Sequence, residues 1–153
     1  MMMQLLNRAM LNSTMISQEK FTPSFENVKN IVQIVSNFTK LFNGHLEQKN
    51  ISMQVNPDIK GPTTLIEQMA RRGILVDVSL YEQILYNIVL NACKFNKNNG
   101  DIRIRFEVEK WQDQKAIVKT IISDSGIGIE KQKQKHLFKM FESVHSPIQY
   151  NAF

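Results

Sequence analysis

The stretch Asn87-Ile88-Val89-Leu90-Asn91-Ala92-Cys93-Lys94-Phe95 sets the frame for the rest of this 153-residue chain. At about 100° per residue, positions four and three apart share one stripe of a helix, so Gln83, Asn87, Asn91 and Lys94 line up. Leu85, Ile88, Val89, Ala92 and Phe95 fall on the opposite side and predict a buried apolar face. The helix is expected from about Ser79, a candidate N-cap three residues before Glu82, through Phe95, where Asn98-Asn99-Gly100-Asp101 supplies turn chemistry. An amphipathic helix with a solvated polar side accounts for the stripe by itself. The same row also suits a ligand, since carboxamide oxygens are hard neutral donors for a phosphate-bound magnesium and lysine adds charge for phosphate oxygens.

Downstream, Ile102, Ile104, Phe106 and Val108 alternate with Arg103, Arg105, Glu107 and Glu109, the period-two pattern of a strand with one apolar face. Residues 116–123 are apolar on both faces and read as a more central strand, paired with the first as a hairpin. Directly after it comes Asp124-Ser125-Gly126-Ile127-Gly128-Ile129. Two glycines allow positive φ and close backbone approach, and a strand-end aspartate can accept a hydrogen bond from an amino group; a plain tight turn would look similar. It is not a dinucleotide fingerprint, because Lys131 stands where a third glycine belongs, and no Gly-x-x-x-x-Gly-Lys-Ser/Thr run occurs.

Upstream, Val28, Ile31, Val32, Val35, Phe38 and Phe42 recur at helical spacing to about Lys49. Ile51, Met53 and Val55 alternate as a strand that Asn56-Pro57-Asp58 is expected to end. A short helix centred on residues 64–69 and a short strand at 74–76 are expected before the asparagine helix. Leu5, Leu6, Ala9, Met10 and Ile16 mark residues 1–20 as a helix in need of a partner.

The whole chain agrees with one folded domain plus an appendage: 42% of residues are hydrophobic and 22% charged, too balanced for a disordered or collagen-like chain. Cys93 is the single cysteine, which rules out an intrachain disulfide and fits a reducing, cytoplasmic setting. Residues 74–90 form the richest apolar run, but Asp77, Ser79, Glu82, Gln83 and Asn87 interrupt it, so no membrane span is expected. The N-terminus has one arginine, Arg8, and matches no secretory signal. The net charge of +5 is dispersed, and Lys131, Lys133 and Lys135 read as the solvated start of a helix rather than a nucleic-acid patch.

Taken in order, these motifs resemble the ATP-binding domain of sensor histidine kinases, from about Phe21 to Phe141. Residues 87–95 look like that family's asparagine box, Asp124-Ser125-Gly126-Ile127-Gly128-Ile129 like its first glycine box, and Leu137-Phe138-Lys139-Met140-Phe141 like its phenylalanine box. The resemblance implies an α+β, two-layer sandwich: a mixed sheet covered by helices on one face, with ATP between the asparagine helix and the glycine loop. It also implies that Asn91 binds Mg2+, that Asn87 and Lys94 lie near the phosphates, and that Phe95 lines the adenine side. Asp124 would read the adenine amino group, and Gly126 and Gly128 would shape the loop.

The hydrolytic relatives of that superfamily, the gyrase, mismatch-repair and chaperone ATPases, place a glutamate four residues before the magnesium asparagine to act on water. Here that position is Asn87, whose amide is no useful base near neutral pH, which favours transfer to a protein nucleophile. None of the three histidines, His45, His136 and His145, stands in the family's acceptor pattern. The second glycine-rich box is expected beyond Phe153, so a C-terminally incomplete domain over residues 21–153 is expected, preceded by a remnant of the dimerisation hairpin over 1–20. The implied partners are nucleotide, an acceptor hairpin or full-length kinase, and a downstream receiver domain. The alternative is a catalytically inert kinase-like module that binds a partner kinase.

Overall fold

The computed structural model of the chain describes residues 22–110 and 115–134. The expected helix over residues 1–20, the phenylalanine box at 137–141, and His136 and His145 lie outside the described residues.

Strand β1 (Glu26–Val28) opens the described fold, followed by helix α1 (Ile31–Thr39), a 3-10 turn (Lys40–Phe42) and helix α2 (Asn43–Lys49). Val28 therefore belongs to a strand rather than to the helix its spacing suggested. The break is set by Asn30, whose side chain accepts from the Gln33 amide at 3.0 Å and so starts α1 three residues after Val28. Ile31, Val35, Phe38 and Phe42 then point into the core, and Phe42 packs its ring 5.7 Å from both Phe38 and Tyr86. Asn50, in the left-handed region at φ 51°, ends α2.

Strand β2 runs from Ser52 to Lys60, so Asn56-Pro57-Asp58 does not end it. The turn chemistry instead makes a bulge: Asn56 Oδ1 accepts from the Asp58 amide at 2.8 Å, and the pairing register with the next strand shifts between Val55 and Ile59. Proline is tolerated here because β2 pairs with a single strand among the described residues, leaving an edge free of the donor that Pro57 lacks. Helix α3 (Thr63–Arg72), strand β3 (Ile74–Val76) and the long helix α4 (Val78–Lys94) follow. The N-cap of α4 is Asp77, not Ser79; its carboxylate accepts from the Leu80 amide at 3.0 Å and the Ser24 amide at 2.8 Å.

Strands β4 (Asp101–Lys110) and β5 (Ala116–Asp124) form the expected antiparallel hairpin, while β2 and β4 are parallel across the α3–β3–α4 crossover. The sheet is thus mixed, in the order β2-β4-β5, and β1 and β3 form a separate antiparallel pair. β4 is its central strand, with Ile102, Ile104, Phe106 and Val108 at most 3% exposed beneath the helices. β5, read from sequence as more central, pairs only with β4 among the described residues, and its Val118 and Ile122 are half-buried at the margin of the core. Helices cover one face and the alternating charges of β4 line the other, which gives the expected two-layer α+β sandwich. After residues 124–130 a short helix, α5 (Lys131–Gln134), begins at the lysine-rich segment.

Candidate functional site

Helix α4 buries Leu85, Tyr86, Val89, Ala92 and Cys93 against the sheet and α1. Packing this side turns Ile84, Asn87, Ile88, Asn91, Lys94 and Phe95 outwards. The amide stripe is therefore exposed as expected, but Ile88 and Phe95 join it, at 45% and 47% exposure, instead of entering the core. Their spacing explains the discrepancy: Ile84 and Ile88 stand three positions before Asn87 and Asn91, and Phe95 four positions after Asn91, so they flank the polar row on the same broad face. Among the described residues the side chains of Asn87 and Asn91 have no hydrogen-bond partner, so their amides are available to a ligand. Lys94 extends its ammonium over the Phe95 ring, 5.1 Å from the centroid.

The glycine loop reaches this helix at its C-terminal end. In the β4–β5 ladder Asp124 lies opposite Ile102, whose side chain is fully buried under the helices. Cross-strand partners share a face, so Asp124 leaves the sheet on the side of α4. Its Oδ1 accepts from the Gly126 amide at 2.8 Å, which pins the carboxylate while Oδ2 makes no bond among the described residues. The Ile127 amide donates to the Phe95 carbonyl at 3.2 Å, joining loop to helix. Gly126 sits against that carbonyl so closely that a Cβ would come within 2.5 Å of the oxygen, while Gly128 holds φ +69° with open space around it.

Of the residues singled out from sequence, Phe95, Asp124, Gly126 and the backbone of Ile127 are thus brought together, and Asn91, Lys94 and Asn87 continue the same face along α4. Two residues escaped the sequence reading. Asn96 is buried at 5% exposure, and its amide links Asp101 and Ser125; Lys49 donates to the carbonyls of Cys93, Lys94 and Asn96 at the end of α4. Lys49 is 45 residues from Lys94, so no local periodicity could have found it. A cavity of about 610 Å³ lies at the other end of β5, lined by Leu65, Met69, Tyr81, Val118 and Thr120 among others, and none of the expected site residues reaches it.

Burial raises the Cys93 thiol above its ordinary range, against a smaller opposing pull from the Lys49 charge. The thiol is therefore a protonated packing group. No helix among the described residues is long and apolar enough to cross a membrane.

Comparison with known proteins accords with this geometry. The family described as histidine kinase-, DNA gyrase B- and HSP90-like ATPase matches residues 76–151. Histidine protein kinase 1 of Candida albicans is 27% identical over 130 residues, covering 75% of this chain and 5% of that protein. The signal transduction histidine-protein kinase BarA of Escherichia coli K12 is 27% identical over 140 residues, covering 82% of this chain and 15% of BarA. The chain thus spans a small part of the length of these relatives. The structure of Acinetobacter baumannii histidine kinase AdeS superposes with a TM-score of 0.57 at 19% identity, over 88% of this chain and 57% of that one, a likeness of fold. With the mixed sheet, the exposed asparagine helix and the glycine loop packed on its end, the chain belongs to the histidine kinase-like ATPases, as an ATP-binding catalytic domain of the histidine kinase type.

Proposed function

We propose that the chain binds ATP with magnesium on the face formed by α4 and the 124–129 loop, and that it serves phosphotransfer to a histidine supplied by another segment or another chain. The observation that carries this reading is the outward row of Asn87, Asn91 and Lys94 ending at Phe95, whose carbonyl is bonded to the glycine loop. Asp124 offers its unengaged oxygen to the adenine amino group, Phe95 offers an apolar ring to the base, and Lys94 offers charge to the phosphates. Gly126 and Gly128 let the loop backbone run close to the ligand.

The donor set fits magnesium in one way. Among the described residues no group of three His, Cys, Asp or Glu side chains could hold a metal, and the carboxamide of Asn91 would fill only one place of an octahedral shell. Magnesium would therefore be held jointly by Asn91 and the nucleotide's own phosphates, where it neutralises charge on the transferring group. In the transfer the bond between the γ-phosphorus and its bridging oxygen breaks, ADP leaves, and a phosphorus–nitrogen bond forms on the acceptor imidazole. Asn87 supports this outcome over hydrolysis, since an amide four residues before Asn91 takes no proton from water. His45 packs on the Phe42 ring, at 6.1 Å between centroids, and is not placed as that acceptor. The phosphorelay reading adds a receiver domain as the next partner.

Calorimetric titration with Mg–ATP analogue tests the site. Wild type is expected to bind, and Asn91→Ala and Asp124→Ala each to weaken binding by about tenfold or more, the worth of one charge-assisted hydrogen bond. Absence of binding by wild type, or binding by both variants as tight as wild type's, would refute the site. Radiolabelled ATP with an added acceptor hairpin separates phosphotransfer from the inert alternative.

A further inference from the structure

The end of α4 is tied to the rest of the fold by bonds that none of the proposed ligand contacts uses. Asn96 Oδ1 accepts from the Lys97 amide at 3.0 Å and from the Ser125 hydroxyl at 3.1 Å, while its Nδ2 donates to the Asp101 carbonyl at 3.2 Å. Ser125 closes the circuit: its Oγ accepts from the Asp101 amide at 2.9 Å, and its own amide donates to the Asp101 carbonyl at 3.1 Å. On the far side Lys49 donates to the carbonyls of Cys93 at 3.3 Å and Asn96 at 3.1 Å, and Asn50 Nδ2 donates to Asn99 Oδ1 at 2.7 Å. Gly100 completes the packing, since a Cβ there would come within 2.3 Å of Asn96 Oδ1.

We infer that Asn96 and Ser125, backed by Lys49, are positioning residues that fix the gap between the end of the asparagine helix and the glycine loop, and so set the alignment of Asp124 with Phe95. Resting on the nucleotide reading above, this names what holds that site in shape. Ser125 stands between Asp124 and Gly126, so immobilising its hydroxyl fixes both neighbours. Gly126 then has no slack against the Phe95 carbonyl, and the Ile127 amide meets that same oxygen. A buried amide and a half-buried hydroxyl that satisfy each other give one arrangement of the loop rather than several. Preorganisation of this kind is felt as ligand affinity, because a loop already in place need not be ordered on binding.

The full chain, with Ser125→Ala and Ser125→Thr, tests this by Mg–ADP titration and by NMR hydrogen exchange without nucleotide. Ser125→Ala is expected to weaken Mg–ADP by about tenfold, the worth of one net hydrogen bond. It should also speed exchange of the Ile127 amide by a similar factor while the Ile104 amide in the core strand keeps its rate. Ser125→Thr, which retains the hydroxyl, is expected to match wild type in both. The inference is overturned by Ser125→Ala binding Mg–ADP like wild type, by faster exchange at Ile104 as well as Ile127, or by Ser125→Thr behaving as Ser125→Ala. If wild type itself binds no Mg–ADP the nucleotide reading fails first, and the exchange rates then report only on the loop.

Discussion

Gly126 and Gly128 look alike in sequence, two glycines of one loop, yet they meet different constraints. At Gly126 the obstacle is a neighbouring backbone, the Phe95 carbonyl, 2.5 Å from where a Cβ would stand, and a carbonyl within a helix end cannot swing aside. At Gly128 there is space but φ is +69°, a region that costs a side chain about 1 kcal/mol. Gly126→Ala is therefore expected to push the loop off α4, lowering stability by about 1–3 kcal/mol and abolishing measurable nucleotide binding. Gly128→Ala should cost about 1 kcal/mol and leave the Ile127–Phe95 bond in place. Urea unfolding and amide exchange distinguish them, and equal losses in both variants would contradict the assignment. The sequence made Asn87, Asn91 and Lys94 legible because helical spacing alone decides which side chains share a face. Asn96 is not legible in that way, since its burial depends on Ser125, 29 residues away, and on the fold that brings them together.

Helix α4 is held at both ends by groups from other elements. Asp77 caps its N-terminus and also accepts from the Ser24 amide, and the Lys49 ammonium meets the carbonyls at its C-terminus. The helix dipole favours both signs of charge where they stand. Asp77→Ala is expected to lower stability by about 1–2 kcal/mol through the lost cap, and Lys49→Met by about 0.5–2 kcal/mol through the lost terminal charge. The second loss should shrink at high salt to the extent that it is electrostatic, which thermal melts at two salt concentrations would check. The helix itself was legible, but its start was not: Ser79 and Asp77 are both good caps, and only the bond from Asp77 to the Leu80 amide decides between them. The bulge in β2 was illegible for a related reason, because turn residues inside a strand end it or bend it according to whether the partner strand continues beyond them.

At the scale of the molecule the sheet separates two kinds of energy. Its outer face carries exposed ion pairs, Arg103–Asp101 at 3.1 Å, Arg105–Glu107 at 3.5 Å and Lys119–Glu109 at 2.7 Å, each worth roughly 0–1 kcal/mol. Its inner face carries the core, where Phe106→Ala should cost about 3–5 kcal/mol. That core also holds the thiol of Cys93 and borders the phenol of Tyr81, which bonds Thr120 at 2.6 Å. Burial raises both above their ordinary values, with the Lys49 charge and the Thr120 bond as smaller opposing influences. The fold therefore prefers both groups protonated. Where the folded pKa exceeds the unfolded one, the unfolded chain gives up its proton first, so stability is fully present below the ordinary thiol range and is lost as pH rises through it towards the raised values. Urea midpoints measured at stepped pH should stay level near neutrality and fall on the alkaline side, first with the thiol and then with the phenol. Cys93→Ala should delay the onset of that fall and Tyr81→Phe should shallow its later part. A midpoint that rose with alkaline pH, or that fell identically in both variants and wild type, would mean that burial of these two groups does not govern the loss.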